Sequence, residues 1–158
     1  MHDLTDAYLL ISILALSAML VGGLIFAGGA VAPVAVKVLP EDAAALFLRA
    51  FWPRYYRAGA FGGAVLTLLL GVLAPNATVG VHYASLLTAL AALFTVGLWL
   101  ALRMIPAINA ARDGDDPARF ARLHGAVLAL TAAALLAGVA FLVALGWVLP
   151  GHYLLWMQ

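Results

Sequence analysis

Aspartate, glutamate, lysine and arginine are missing from three long stretches of the chain: thirty residues between Asp6 and Lys37, forty-five between Arg57 and Arg103, and thirty-six after Arg122. A helix needs about 20 apolar residues to cross the hydrocarbon of a bilayer, so the first and last stretches each predict one crossing. The middle stretch is too long for one crossing and has to fold back. Its reversal is expected at Ala74-Pro75-Asn76-Ala77-Thr78-Val79-Gly80, where Pro, Asn and Gly cluster between two apolar runs. The pattern therefore predicts spans near 6–38, 53–74, 81–112 and 117–149.

Local signals sharpen these boundaries. Gly114 suits a helix C-terminal cap, Asp116 an N-cap, and Pro117 the first helical position, where a missing N–H costs nothing. Pro33 falls inside the first span and is expected to bend it, because its ring clashes with the carbonyl of Gly29. The small-x-small triplet Ala30-Val31-Ala32 looks like a signal-peptidase site, but Met1-His2-Asp3 lacks the basic leader and the apolar run is too long. Between the first two spans, residues 40–51 begin with Pro40-Glu41-Asp42, which favour a helix start. Ala43, Leu46, Phe47, Ala50 and Phe51 share one side of that helix, which predicts a short interfacial helix lying flat on the membrane.

Composition agrees and adds exclusions. With 66% hydrophobic and 9% charged residues, the chain reads as an all-α integral membrane four-helix bundle, a single transmembrane domain over residues 1–158. No room is left for a soluble catalytic domain. The absence of cysteine excludes disulfides, thiolate catalysis and cysteine-ligated metal. Lys37, Arg49, Arg54 and Arg57 flank the first connection, and Arg103, Arg112, Arg119 and Arg122 the third; these are all 8 basic residues. The positive-inside rule then puts both basic connections in the cytoplasm and both termini in the periplasm of a bacterial inner membrane. So small a net charge, +1, carries no argument for nucleic acid.

Small residues recur at helical spacing, as close packing in lipid requires. Gly59, Gly63, Thr67 and Gly71 form one seam; Ser85, Thr88, Ala92 and Thr95 form another, which runs on to Trp99 and Arg103 and would turn Arg103 inward. His124, Leu128, Thr131, Leu135 and Gly138 form a third, which would turn His124 inward too. No Asp, Glu, Lys or Arg falls in the centre of a predicted span, which argues against an ion-coupled pump.

Two groups of residues carry candidate chemistry. His124, Arg103, Arg57 and Tyr56 are expected near one another at the cytoplasmic end, where arginines could neutralise an anion, a haem propionate or a lipid headgroup. The plainer reading is that the arginines fix topology and His124 bonds a neighbouring helix. His2, His82 and His152 map to the outer side and could together hold copper or zinc, although they come from separate segments without the i, i+4 spacing of a preformed site. A bis-histidine haem would need a second inward histidine at the depth of His124, and there is none.

Gly22-Gly23 to Ala32-Pro33, Phe51-Trp52-Pro53-Arg54-Tyr55-Tyr56, Ile105-Pro106-Ala107-Ile108-Asn109 with Arg112-Asp113, and Phe120-Ala121-Arg122-Leu123-His124 together resemble a bacterial four-helix membrane family of unknown function, the DUF4149 type. That family is similar to a eukaryotic transmembrane protein linked to platinum-drug resistance. More distantly the arrangement resembles copper-resistance D proteins and a membrane family of protoporphyrinogen oxidases. The oxidases use a first-helix histidine for haem, and the corresponding stretch Leu9 to Ser17 has none. The resemblance implies a four-helix bundle and leans toward metal or drug tolerance. The functional expectation is a non-enzymatic inner-membrane protein that handles a metal ion or other small ligand. The alternatives are a haem-binding oxidoreductase and an accessory subunit, with the lipid bilayer and a homo-oligomer or partner subunit as contacts.

Overall fold

A computed structural model describes residues 2–73 and 81–154, with side chains described over 8–71 and 82–147. The described elements are all helical: α1 (His2–Phe26), a π-helical turn (Ala27–Val31), α2 (Ala32–Val38), α3 (Glu41–Leu73), α4 (Val81–Asp113) and α5 (Pro117–Leu154). The reversal expected at 74–80 lies outside the described residues.

Proline explains the first irregularity. Pro33 has no N–H to give and its ring crowds the carbonyl four residues back, so an unbroken α-helix is unfavourable there. The chain widens instead: the N–H of Ala32 donates to the carbonyl of Ala27, five residues back, which closes the π turn just before the proline. The expected disturbance at Pro33 is thus a wide turn within one helical run from His2 to Val38.

Pro53 is absorbed differently. The helix expected at 40–51 and the span expected at 53–74 are one continuous 33-residue helix, α3, with Pro53 inside it. The segment before Pro53 is held against α4: the Arg49 guanidinium donates to both carboxylate oxygens of Asp113, at 2.7 and 3.3 Å. Ala44 is buried, while Leu46 and Phe47 of the expected membrane face stay exposed. Glutamate and aspartate at 41 and 42 do open a helix, as the sequence implies, but that helix runs on into the apolar segment.

The α4–α5 connection follows the expected chemistry with one shift. Asp116 caps α5, its Oδ1 accepting the N–H of Arg119 at 2.9 Å. The N–H of Asp116 donates to Ala111 and that of Asp115 to Arg112, the pairing of a Schellman turn. The left-handed residue is Asp115, at φ 51°, rather than Gly114.

α4 lies between α3 and α5, and α1 packs less extensively against α5 and α3. One buried cluster joins Val21, Tyr56, Leu98, Ala101, Val127 and Ala134; a second, toward the other end, joins Ile13, Leu66, Leu70, Leu87, Phe141 and Leu145. Because lipid tails are as apolar as these side chains, contact density has to hold the helices together. Glycine supplies it. A Cβ on Gly59 would stand 2.7 Å from Leu98, one on Gly63 2.5 Å from Thr95, and one on Gly138 2.6 Å from Val21. The outer surface is correspondingly apolar, with Met19, Leu68, Leu136 and Trp147 about two-thirds exposed or more. Three helical runs, Tyr8–Val38, His82–Asp113 and Pro117–Trp147, are long and apolar enough to cross a membrane. The chain is a polytopic membrane protein.

Candidate functional site

The four residues expected to converge at the basic end do not converge. Tyr56 faces the interior: it is buried among Leu98, Ala101 and Val127, and its hydroxyl lies 3.0 Å from that of Thr131 on α5. Thr131 in turn donates to the Val127 carbonyl at 2.8 Å, which leaves the tyrosine hydroxyl as the donor between the pair. This is a packing bond between α3 and α5.

His124 is exposed, one turn before Val127, the first buried residue of α5, and its ring stacks on Phe120 at 5.5 Å and 7°. The expected inward orientation is not observed. The inward face of α5 is Val127, Ala134, Ala137, Phe141 and Leu145, and this face begins only above the histidine. An imidazole there is not aimed between the helices.

Arg103 is exposed as well, its guanidinium carbon 5.4 Å from the centre of the Trp99 ring. The expected stripe of Ser85, Thr88, Ala92, Thr95, Trp99 and Arg103 lies beside the buried face of α4 rather than on it. The buried face of α4 is Ala84, Leu87, Ala91, Phe94, Leu98 and Ala101, whereas Thr95 and Trp99 lie at the edge facing α3. Extending that edge brings Arg103 out to the surface, where a guanidinium avoids the desolvation penalty of a packed interior.

Arg57 and Trp99 line the same lateral groove between α3 and α4, about 340 Å³ in volume. Ala60 and Ala64 give it a shallow floor on α3, and Phe61, Val96 and Trp99 rise at its sides. The helices are antiparallel here, with Gly59 against Leu98, Gly63 against Thr95 and Arg49 against Asp113. The same register puts Arg57 level with the α4 turn that carries Arg103. Unlike Arg49, neither makes an ion pair among the described residues. Arg57 thus shares the groove with Trp99, Arg103 lies over the ring of that tryptophan, and Tyr56 and His124 are elsewhere. The sequence pattern places Trp99 only in a packing stripe and does not single out Ala60 or Ala64. The available signals were the Trp99-to-Arg103 spacing of four, which stacks a cation over a ring on one helix face, and Ala60 and Ala64 repeating the spacing of Gly59 and Gly63 one residue on.

The interior offers little space by comparison. The cavity bounded by Ser17, Val21, Leu66, Phe94, Gly138 and Phe141 measures about 10 Å³, room for no more than one water. Of the three histidines expected on the outer side, His82 is exposed near the start of α4, and the side chains of His2 and His152 lie outside the described residues. No group of three or more His, Asp or Glu side chains placed to hold a metal ion is found among the described residues.

The comparison that decides kinship is with family models, one of which matches residues 15–117, about two-thirds of the chain. The chain belongs to the DUF4149 family, a domain of unknown function. The matched segment of this DUF4149 protein runs from the middle of α1 through the start of α5 and contains every residue that lines the groove. No curated protein and no solved structure matches the chain.

Proposed function

We propose that this DUF4149 protein is a non-enzymatic, four-span membrane protein, folded as one transmembrane domain, that takes a small amphipathic ligand laterally from the bilayer into the α3–α4 groove. The observation that carries this reading is the contrast between a tightly filled interior and an open groove of about 340 Å³, within the usual size range of small-molecule sites. The fourth crossing is the second half of α3, where no charged residue follows Arg57 and helix continues for about 24 Å to Leu73. All eight basic residues lie toward one end of the bundle, with Lys37 at the end of α2, Arg49, Arg54 and Arg57 in the first half of α3, Arg103 and Arg112 in the last third of α4, and Arg119 and Arg122 at the start of α5; by the positive-inside rule that end faces the cytoplasm. Both termini then lie on the periplasmic side of a bacterial inner membrane. A cysteine introduced at Gly114 should resist an impermeant thiol reagent in intact cells, and labelling there would reverse the orientation.

The groove itself is tested with a protein in which Trp99 is the only tryptophan and a dansyl-labelled fatty acid is the probe. Energy transfer from Trp99 should saturate, fall when unlabelled fatty acid competes, and disappear in Ala64→Phe, which fills the floor. Transfer that rises without saturation and ignores Ala64→Phe would mark ordinary partition into the detergent micelle and sink the proposal.

One observation favours a second reading, a copper or zinc site at the opposite end. The helix directions carry positions 2, 82 and 152 to that end, at the start of α1, the start of α4 and the end of α5. Copper titration of the metal-free protein should then show one tight site that is lost when His2, His82 and His152 are replaced together. Binding unchanged in the triple variant would dispose of it.

A further inference from the structure

Resting on the groove reading above, we infer that the occupant is an anionic phospholipid, with its phosphate held between Arg57 and Arg103 and one acyl chain lying over Ala60 and Ala64. Three observations converge on this ligand class. The first is depth. About 24 Å of helix separates Arg57 from Leu73, and about 33 Å separates Arg103 from Val81. These lengths bracket the ~30 Å thickness of the hydrocarbon, so both arginines stand where headgroup phosphates begin.

The second is charge. Arg49, beyond the groove, is neutralised by Asp113 at 2.7 Å, and Arg54 donates to the carbonyl of Ala50 at 2.7 Å. Arg57 and Arg103 have no carboxylate among the described residues and no acidic side chain in the groove that would repel a phosphate. Trp99 lies beneath the second guanidinium, 5.4 Å from its carbon to the ring centre, a cation–π contact that uses none of the N–H donors a phosphate would need. Tryptophan at this level is also the ring that best tolerates a boundary between headgroups and chains.

The third is shape. From the arginines the groove descends past Ala60 to Ala64 and Thr95, away from the basic end. Thr95 offers no free hydroxyl proton, because it is donated to the Ala91 carbonyl at 2.8 Å. A groove charged at its mouth and apolar along its length fits a molecule with a phosphate at one end and a hydrocarbon chain behind it. A compact polar anion would satisfy the arginines alone and leave the floor empty.

The test is native mass spectrometry of the detergent-purified protein, titrated with phosphatidylglycerol or phosphatidylcholine carrying identical acyl chains. Phosphatidylglycerol should be retained about thirtyfold better, the effect of two basic side chains on an anionic headgroup. Arg57→Gln with Arg103→Gln should abolish that preference, Arg57→Lys with Arg103→Lys should keep most of it, and Arg122→Gln should leave it unchanged. The lysine pair separates loss of charge from loss of fold. Ala64→Phe should release both lipids.

Each other result overturns the inference. Equal retention of the two lipids, with both released by Ala64→Phe, leaves the groove as a site for amphiphiles without headgroup selection. Retention unaffected by Ala64→Phe removes the groove reading as well. A loss in Arg122→Gln as large as in the double variant assigns the preference to general surface charge. Protection by inorganic phosphate alone, equal to that by lipid, assigns the arginines to a free anion.

Discussion

Gly22, Gly28 and Gly29 of the first helical run and Gly59 and Gly63 of α3 look alike in sequence and act oppositely. On α3, Gly59 and Gly63 bring the backbone so close to α4 that a Cβ at either would meet Leu98 or Thr95 at under 3.0 Å. On α1 and its π turn, Gly22, Gly28 and Gly29 face nothing within 4 Å of where a Cβ would be. The lesson is that a small-residue stripe reports a permitted approach, and only the partner helix decides whether the approach is made. On α3 the approach also shapes the groove. With Gly59 and Gly63 closed onto α4, Ala60 and Ala64, about 100° further round the helix, become its floor.

The sharpest way to break this comparison is to add bulk on both sides of it. Gly63→Leu should force α3 away from Thr95 and Phe94 and destabilise the bundle by about 3 kcal/mol, the upper end of overpacking effects, or prevent assembly outright. Gly63→Ala is the milder form, with 2.5 Å between the new Cβ and the Thr95 hydroxyl still requiring a shift. Gly22→Ala should leave the denaturation midpoint unchanged or raise it slightly, since alanine favours helix by up to about 1 kcal/mol. Denaturation in mixed micelles followed by circular dichroism measures all three. Equal effects at positions 22 and 63 would mean that α1 is as closely packed as α3.

The α3 seam was legible because Gly59, Gly63 and Thr67 repeat every four residues and Thr67 does meet Thr95, with 3.3 Å between the hydroxyls. The three runs Tyr8–Val38, His82–Asp113 and Pro117–Trp147 were legible for a similar reason, since charge-free stretches longer than a bilayer is thick leave few alternatives. What remained out of reach depends on tertiary register. Arg49 and Asp113 are 64 positions apart, and their contact joins the first part of α3 to the end of α4, with α3 running on unbroken through Pro53. His124 belongs to a stripe in which Leu128 is also exposed and only Thr131, Leu135 and Gly138 are partly or fully covered; periodicity gives the direction of a face and not the point along the helix where its neighbours end. The groove needs α3 and α4 side by side before Arg57 and Trp99 share a wall.

A second, smaller test concerns the contact that joins α3 to α5 without glycine. Tyr56→Phe removes the hydroxyl bonded to Thr131 at 3.0 Å while keeping the ring against Trp52, at 5.3 Å. Hydrogen bonds between membrane helices average about 0.6 kcal/mol, so the loss should be near that figure and well below that of Gly63→Leu. Thr131 keeps its bond to the Val127 carbonyl and is not stranded. Tyr56→Phe combined with Thr131→Val should cost little more than either alone, and additive losses would show that the two hydroxyls are not partners.

The smallest expected effect concerns a glycine that stands one residue from where it would be most useful. The Schellman turn after α4 puts Asp115, not Gly114, in the left-handed region, at φ 51°. A residue with a Cβ pays about 1 kcal/mol or more for that conformation, although aspartate tolerates it better than most. Asp115→Gly removes this strain but adds freedom to the unfolded chain, so the net gain should be a few tenths of a kcal/mol. Asp115→Ala keeps the Cβ and loses the polar side chain that eases the geometry, and should lower stability instead. The carboxylate at 116 is a separate matter, since Asp116→Ala removes the cap on the Arg119 N–H and should cost about 1 kcal/mol. Thermal midpoints of the three variants in one detergent should therefore rank Asp115→Gly above the parent, and the parent above both alanine variants. A fall in Asp115→Gly would show that the aspartate side chain stabilises the turn by more than its backbone strain costs.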